Sequence, residues 1–265
     1  TETSIGKLLI AGIIPGIMTA TLYMIGIFIW ARLDPVTLPP GEQWSWREKW
    51  EAVKKIGGFL LIVFVIFFAL YGGIATATEV AAIGALASFV YLWATRRLDW
   101  KKTIVATRRT VAITAMIMLI IMGALVFGYF LTITRAPQNV IAWIQQSGLS
   151  PWTVMSIILV IYFILGCLMD ELAILLITLP ITFPLVVSLG FDPIWYGVII
   201  VKMVEIGLVA PPVGMNVFVV SATTGVPVAT VYRGTGYMMI FEMITLGLLL
   251  AFPALSTWLP SYMTS

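Results

Sequence analysis

Uncharged apolar stretches recur along this chain with the length of a membrane crossing. They run from Leu8 to Ala31, Ile56 to Thr78, Val111 to Thr134, Pro151 to Met169, Leu172 to Phe191 and Met243 to Met263. A helix needs about 20 residues to cross the hydrocarbon layer. Two further segments are less regular: Val80 to Thr95 is short, and Ile206 to Tyr232 is long but interrupted by Pro and Gly. The pattern predicts an all-α integral membrane protein, a multi-span helical bundle carrying a re-entrant hairpin and a broken helix.

Charge fixes the direction of each crossing. Lys and Arg concentrate in 32–55 (Arg32, Arg47, Lys49, Lys54, Lys55), in 96–109 (Arg96, Arg97, Lys101, Lys102, Arg108, Arg109) and at Arg233. The excess of basic residues in cytoplasmic loops puts these three on the inside. Residues 56–95 therefore leave and return, turning at Gly72-Gly73-Ile74-Ala75-Thr76, because one straight helix of that length would be about twice the membrane thickness. The domain reading is a transmembrane helix over 1–31, a cytoplasmic amphipathic connector over 32–55 and a helical hairpin over 56–95. A basic cytoplasmic loop and transmembrane helix follow over 96–135. The remainder is a hairpin over 151–191, a discontinuous helix over 193–222 and a final transmembrane helix over 236–263 that leaves the C-terminus outside. Parity makes 151–191 return to its own side, either as two full spans or as a re-entrant pair. Ser150-Pro151 and Asp192-Pro193 are helix starts, each a capping residue followed by Pro at the first helical position. In the connector, Trp46, Trp50 and Val53 share one helical face and suit a helix lying in the lipid interface.

Composition narrows the function. The 265 residues are 61% hydrophobic and 10% charged, with no His and a single Cys, Cys167. His-based triads, bis-His haem, multi-Cys zinc sites and an intrachain disulfide are excluded by counting. The net charge of +3 and pI near 9.0 belong to membrane orientation, not to nucleic acid.

Ionisable groups inside spans are the exceptions that carry function, since a charge at a helix centre costs about 2.5–3.5 kcal/mol on insertion scales. They are Asp170, Glu171, Lys202, Glu205, Glu79 and Glu242. Lys202 and Glu205 lie three residues apart and can neutralise each other or act in function. Glu242 is read as snorkelling toward the last cytoplasmic loop, and Thr78-Glu79 as a helix start. The strongest signal is Gly207-Leu-Val-Ala-Pro-Pro-Val-Gly-Met-Asn216 in mid-span. Pro211 and Pro212 remove two backbone donors and Pro211 forces Ala210 out of helical geometry, so the helix breaks. Carbonyls freed by such a break must face protein or coordinate a ligand. A broken helix opposite a hairpin tip is an arrangement by which secondary transporters bind cations and anionic substrates; a kink healed by neighbouring helices is the plainer reading.

These same residues carry a family resemblance. Gly72-Gly73 with Ala75-Thr-Ala-Thr-Glu79, Leu168-Met-Asp-Glu-Leu-Ala173, Gly190-Phe-Asp-Pro-Ile-Trp195, Glu205-Ile-Gly207 and Ala210-Pro-Pro-Val-Gly-Met-Asn216 occur in the order found in the large membrane subunit of tripartite ATP-independent periplasmic (TRAP) transporters. The chain resembles that subunit's C-terminal half over nearly its whole length, and Thr1-Glu2 in place of an initiating Met fits a fragment. The resemblance implies a sodium-driven elevator importer of an organic acid such as a dicarboxylate, a keto acid or sialic acid, in the bacterial inner membrane. It implies three protein partners besides the lipid bilayer: a small four-helix membrane subunit, a periplasmic substrate-binding protein and the N-terminal half of the large subunit. Residues 151–191 become a periplasm-facing re-entrant hairpin. Sodium is then expected near Gly166, Met169, Asp170, Glu171, Gly207, Ala210, Pro211, Pro212, Gly214 and Asn216, with Asp170 and Asn216 toward the substrate.

The chain departs from the family pattern at Asp170-Glu171, where Asp-Pro is frequent, and at Ala210-Pro211-Pro212, where Thr-Pro-Pro is frequent. Lys202 stands where a neutral residue is expected. Two readings compete with transport: a non-transporting structural membrane subunit, and an intramembrane aspartyl enzyme built on Asp170, which lacks an evident second Asp to share its proton.

Overall fold

A computed structural model of the chain describes residues 5–34 and 45–262. Every regular element among the described residues is helical. Part of the connector read over 32–55 and the end of the last segment read over 236–263 lie outside the described residues.

The chain forms two compact units, one of residues 1–30 with 115–265 and one of residues 31–114. The smaller contains α3 (Trp46–Tyr71), which opens on a reciprocal cap: the Ser45 hydroxyl accepts from the Glu48 N–H, and the Glu48 carboxylate accepts from the Ser45 N–H. Trp46–Lys54 and Ile56–Tyr71 meet at 54°, so the amphipathic turns and the apolar stretch have different axes. Trp46 and Trp50 are exposed. After the turn at 72–76, where Gly73 adopts φ +64°, α4 (Ala77–Ala94) packs back on α3. Its cap is Thr76 paired with Glu79, two residues earlier than a start at Thr78. The loop read over 96–109 is mostly helix: α5 (Trp100–Thr134) starts just past Asp99, whose carboxylate accepts from the Lys101 N–H at 2.9 Å. At about 1.5 Å per residue, a helix of 35 residues exceeds the hydrocarbon thickness, which leaves its basic first turns room outside the apolar layer.

In the larger unit, α1 (Ile5–Ala11) and α2 (Ile13–Leu33) are parted by one turn residue, Gly12. A helix absent from the reading of the apolar spans, α6 (Ala136–Ser147), packs on α8 (Glu171–Ser188); it is too short and too polar to register as a crossing. The core is built on α7 (Pro151–Leu168) and α9 (Pro193–Val209), the most extensively packed helix pair. Both start as expected, the Ser150 hydroxyl accepting from the Thr153 N–H and the Asp192 carboxylate from the Ile194 and Trp195 N–H groups. Near these starts Trp152, Phe191 and Trp195 pack with ring centroids 5.3 to 6.1 Å apart, and the Trp195 indole donates to the Leu249 carbonyl at 2.8 Å. Tyr162, Tyr196, Ile199 and Val186 are fully buried between α7, α8 and α9.

The last crossing differs from the stretch Met243–Met263. Helix α11 runs over Val228–Ala251 and ends before Pro253; α12 (Ala254–Thr257) and a 3₁₀ turn (Pro260–Tyr262) follow. A charge-free window excludes Arg233 and Glu242, but the helix accommodates both. Glu242 does not snorkel: it is 3% exposed and held by partners inside the unit.

Five helices among the described residues are long and apolar enough to cross a membrane, or six when the bent α3 counts as one span. Broad apolar faces on α5, including Leu119, Leu125 and Val126, are left uncovered. Such surface suits lipid.

Candidate functional site

Helix α7 stops at Leu168 because the next two residues turn extended and Asp170 caps a new helix. Met169 has φ −131° and ψ 159°, and the Asp170 carboxylate accepts from the Leu172 N–H at 3.1 Å to start α8. Helix α9 stops at Val209 because Pro211 holds Ala210 extended, at ψ 145°. A turn over 211–213 with a cis Pro211–Pro212 bond leads to Gly214 in the left-handed region (φ +51°), and α10 (Met215–Thr224) resumes. Gly214 has no freedom to carry a side chain, since a Cβ would stand 2.9 Å from the Ala210 carbonyl oxygen.

The two breaks adjoin. Gly166, in the last turn of α7, faces Gly207, in the last turn of α9; a Cβ on Gly207 would lie 2.6 Å from the Gly166 Cα. One residue on, the Cys167 thiol donates to the Pro211 carbonyl at 3.5 Å. Because α7 and α9 start together and end together, they run parallel, and the hairpin tip stops level with the break. Helix α10 then carries the chain about 15 Å further.

The geometry brings together two helix C-termini, the negative ends of their dipoles. Among the described residues, the carbonyls of Gly166, Cys167 and Leu168 in α7 receive no backbone N–H, and neither do those of Leu208 and Val209 in α9. For Leu208 the donor four residues ahead would be Pro212, which has none. Carbonyl oxygens at two adjoining helix ends are the kind of donor that hard cations take.

The expected site residues divide into two sets. Gly166, Gly207, Ala210 and Gly214 are buried at the junction, and Met169 is half-buried beside it. Asp170, Glu171, Pro211, Pro212 and Asn216 are exposed at its rim. Asp170 and Asn216 share no hydrogen bond; the Asp170 carboxylate is engaged at the start of α8. Among the described residues no three Asp, Glu, Cys or His side chains gather as a metal cluster.

Two features had no signal in the sequence. The Tyr232 hydroxyl, from α11, donates to the Val213 carbonyl at 2.5 Å and reaches the Pro212 carbonyl at 3.3 Å, tying the break to a helix beyond α10. Away from the junction, Lys202 pairs with Glu205, as its spacing suggests, at 3.1 Å, and also with Glu242 of α11 at 2.5 Å. The Tyr23 hydroxyl donates to the other Glu242 oxygen. Lys202, Glu205 and Tyr23 line a cavity of about 590 Å³ between α1–α2 and α9. The charge that looked out of place at Lys202 is thus compensated twice.

Comparison with known proteins agrees with this architecture. Residues 1–255 match the family described as "Tripartite ATP-independent periplasmic transporter, DctM component". The chain is 37% identical to a C4-dicarboxylate TRAP transporter large permease protein of Pseudomonas aeruginosa, over 99% of this chain and 61% of that protein. It is 31% identical to a sialic acid TRAP transporter large permease protein of Vibrio cholerae, over 98% of this chain and 60% of that protein. An ectoine/5-hydroxyectoine TRAP transporter large permease protein of Ruegeria pomeroyi is 28% identical over 97% of the chain and 60% of that protein. The chain therefore spans about three fifths of the length of these relatives.

Proposed function

The chain belongs to the DctM family of tripartite ATP-independent periplasmic transporters, a transporter permease component and not an enzyme, and we propose that it forms the second half of a sodium-coupled secondary importer of organic acids. In this reading the large subunit works with a small four-helix membrane subunit and receives substrate from a periplasmic binding protein. It lies in the bacterial inner membrane with its C-terminus periplasmic. The named substrates of the relatives, a C4-dicarboxylate, sialic acid and ectoine, bound the class of cargo.

The observation that carries the reading is the junction of Gly166 with Gly207. It sets unpaired carbonyls from two helix ends side by side, while Asp170 and Asn216 stay exposed at the rim. Sodium at the carbonyls offsets the two negative helix ends and lets the tip close over an anionic substrate. A hairpin and a broken helix fused backbone to backbone move as one body, as an elevator requires.

The test is uptake of labelled succinate, sialic acid and ectoine into proteoliposomes holding the full large subunit, its small partner and the cognate binding protein. Uptake of one of them that requires both an inward sodium gradient and the binding protein supports the reading. Asn216→Ala and Gly214→Leu are expected to abolish that uptake without lowering the amount of inserted protein. Sodium-independent uptake, or unchanged uptake in both variants, would overturn the ion assignment.

A further inference from the structure

The unit of residues 31–114 contains a groove of about 620 Å³ between α4 and α5 that plays no part in the junction. One end is basic, with Arg97 and Lys102 on its wall; Leu92 and Ala106 come next, and the wall farther along α4 is apolar, with Phe89 and Ala85. The backbone fixes this polarity. Arg96 takes a left-handed φ of 54° and the Arg97 N–H returns to the Leu92 carbonyl at 2.9 Å, which sets Arg97 at the mouth where α4 ends.

Neither cation is paired with a carboxylate among the described residues: none lies within 4.0 Å of Arg97 or Lys102. The one acidic residue on the wall, Asp99, has its carboxylate on the first N–H groups of α5, toward Lys101 and Lys102. The hydroxyls of Thr103, Thr107 and Thr110 also turn inward, donating to the carbonyls one turn back at 2.9 to 3.0 Å, so little of their hydrogen-bonding capacity is left for the groove. From Lys102 to Thr110 the wall descends about 12 Å, from the basic end of α5 into its apolar length.

We propose that this groove holds one anionic glycerophospholipid, its phosphate between Arg97 and Lys102 and an acyl chain along Phe89, Leu92 and Ala106. The complementarity has two parts that a lipid combines: two cations that meet no carboxylate among the described residues, where α4 ends and α5 begins, and an apolar channel leading from them along the apolar length of α5. Zwitterionic lipid would meet the same channel but would bring a cation to a site that already holds two.

Native mass spectrometry of the full large subunit with its small partner tests this, after incubation with phosphatidylglycerol or phosphatidylcholine. The wild type is expected to retain phosphatidylglycerol several-fold better than phosphatidylcholine. Arg97→Gln with Lys102→Gln should erase that preference, and Ala106→Trp, which fills the channel, should lower retention of both lipids. Lys101→Gln, one residue along but off the wall, should change nothing, and free glycerol phosphate should not compete. Equal retention of the two lipids by the wild type, an unchanged preference in the double variant, or an equal loss in Lys101→Gln would overturn the proposal. Insensitivity to Ala106→Trp or competition by glycerol phosphate would overturn a lipid occupant in favour of a bare phosphate site. Melting temperatures of all variants within a few degrees of the wild type keep the comparison free of misfolding, and uptake is not needed to read it.

Discussion

Gly166 and Gly207 touch through their main chains, with no side chain between α7 and α9 at the point where both helices end. Nothing there can rotate aside to admit an extra carbon. In the full permease, Gly207→Ala is expected to destabilise by about 1–3 kcal/mol, the usual cost of overpacking a tight contact. Gly166→Ala should cost less, because its nearest neighbour would stand at 3.0 Å and not 2.6 Å. Thermal unfolding in detergent checks the order, and Gly207→Ala melting with the wild type would refute the close contact.

The pair of Lys202 with Glu242 is a second point of tension, because both side chains are buried, at 9% and 4% exposure. Lys202→Met alone leaves Glu242 with only the Tyr23 hydroxyl and should destabilise by about 3–5 kcal/mol, the range seen when one partner of a buried ion pair is removed. Lys202→Met combined with Glu242→Leu should recover most of that loss. A double variant as unstable as the single one would mean the charges are needed for more than mutual neutralisation.

Tyr232→Phe removes one hydroxyl and nothing else from the turn after α9. Losing the donation to Val213 and Pro212 should cost about 0.5–1.5 kcal/mol of stability. If the junction binds sodium, the loosened turn should also raise the sodium concentration needed for half-maximal uptake several-fold at equal protein level. Sodium titration of uptake reads this directly, and an unchanged curve would separate Tyr232 from the ion site.

The start of α3 should respond to pH. Hydrogen bonds from the Ser45 hydroxyl and N–H, at 2.7 and 2.8 Å, hold the Glu48 carboxyl below its ordinary value of 4.5. A depressed folded-state value means that the stabilisation is complete above 4.5 and is lost as pH falls through the folded value. Amide hydrogen exchange over residues 46–54 of the full chain should quicken relative to the intrinsic rate on acidification below 4.5. Glu48→Gln should exchange with little pH dependence of that ratio. Equal protection of the wild type across the range would show that the cap does not hold this helix.

The breaks were legible in the sequence because Pro and Gly act locally: Pro211, Pro212 and Gly214 each restrict or free the backbone wherever they stand. Helix starts at Pro151 and Pro193 were legible for the same reason. The end of the bundle was misplaced because a charge-free window treats Glu242 as a boundary, whereas burial against Lys202 and Tyr23 removes the reason for one. Tyr232 was invisible for a related cause: its partners lie some twenty residues upstream, and no periodicity links a hydroxyl to a distant carbonyl. Helix α6 went unread because its apolar face is narrow and its length is below that of a crossing.

The Lys202–Glu242 pair also bears on how the protein is made. Each residue would cost about 2.5–3.5 kcal/mol in the centre of a lone helix, and the two enter the membrane on different helices, α9 first and α11 later. Within α9, Lys202 already has Glu205 beside it at 3.1 Å, whereas α11 brings Glu242, whose partners Lys202 and Tyr23 stand on α9 and α2. Insertion of α11 is therefore completed by a helix delivered before it, and α9 must still be at hand when α11 emerges. Glycosylation-site mapping of α11 should show full insertion in the wild type and incomplete insertion in Lys202→Met. A residue read as an oddity of the finished fold thus fixes an order of events in its assembly.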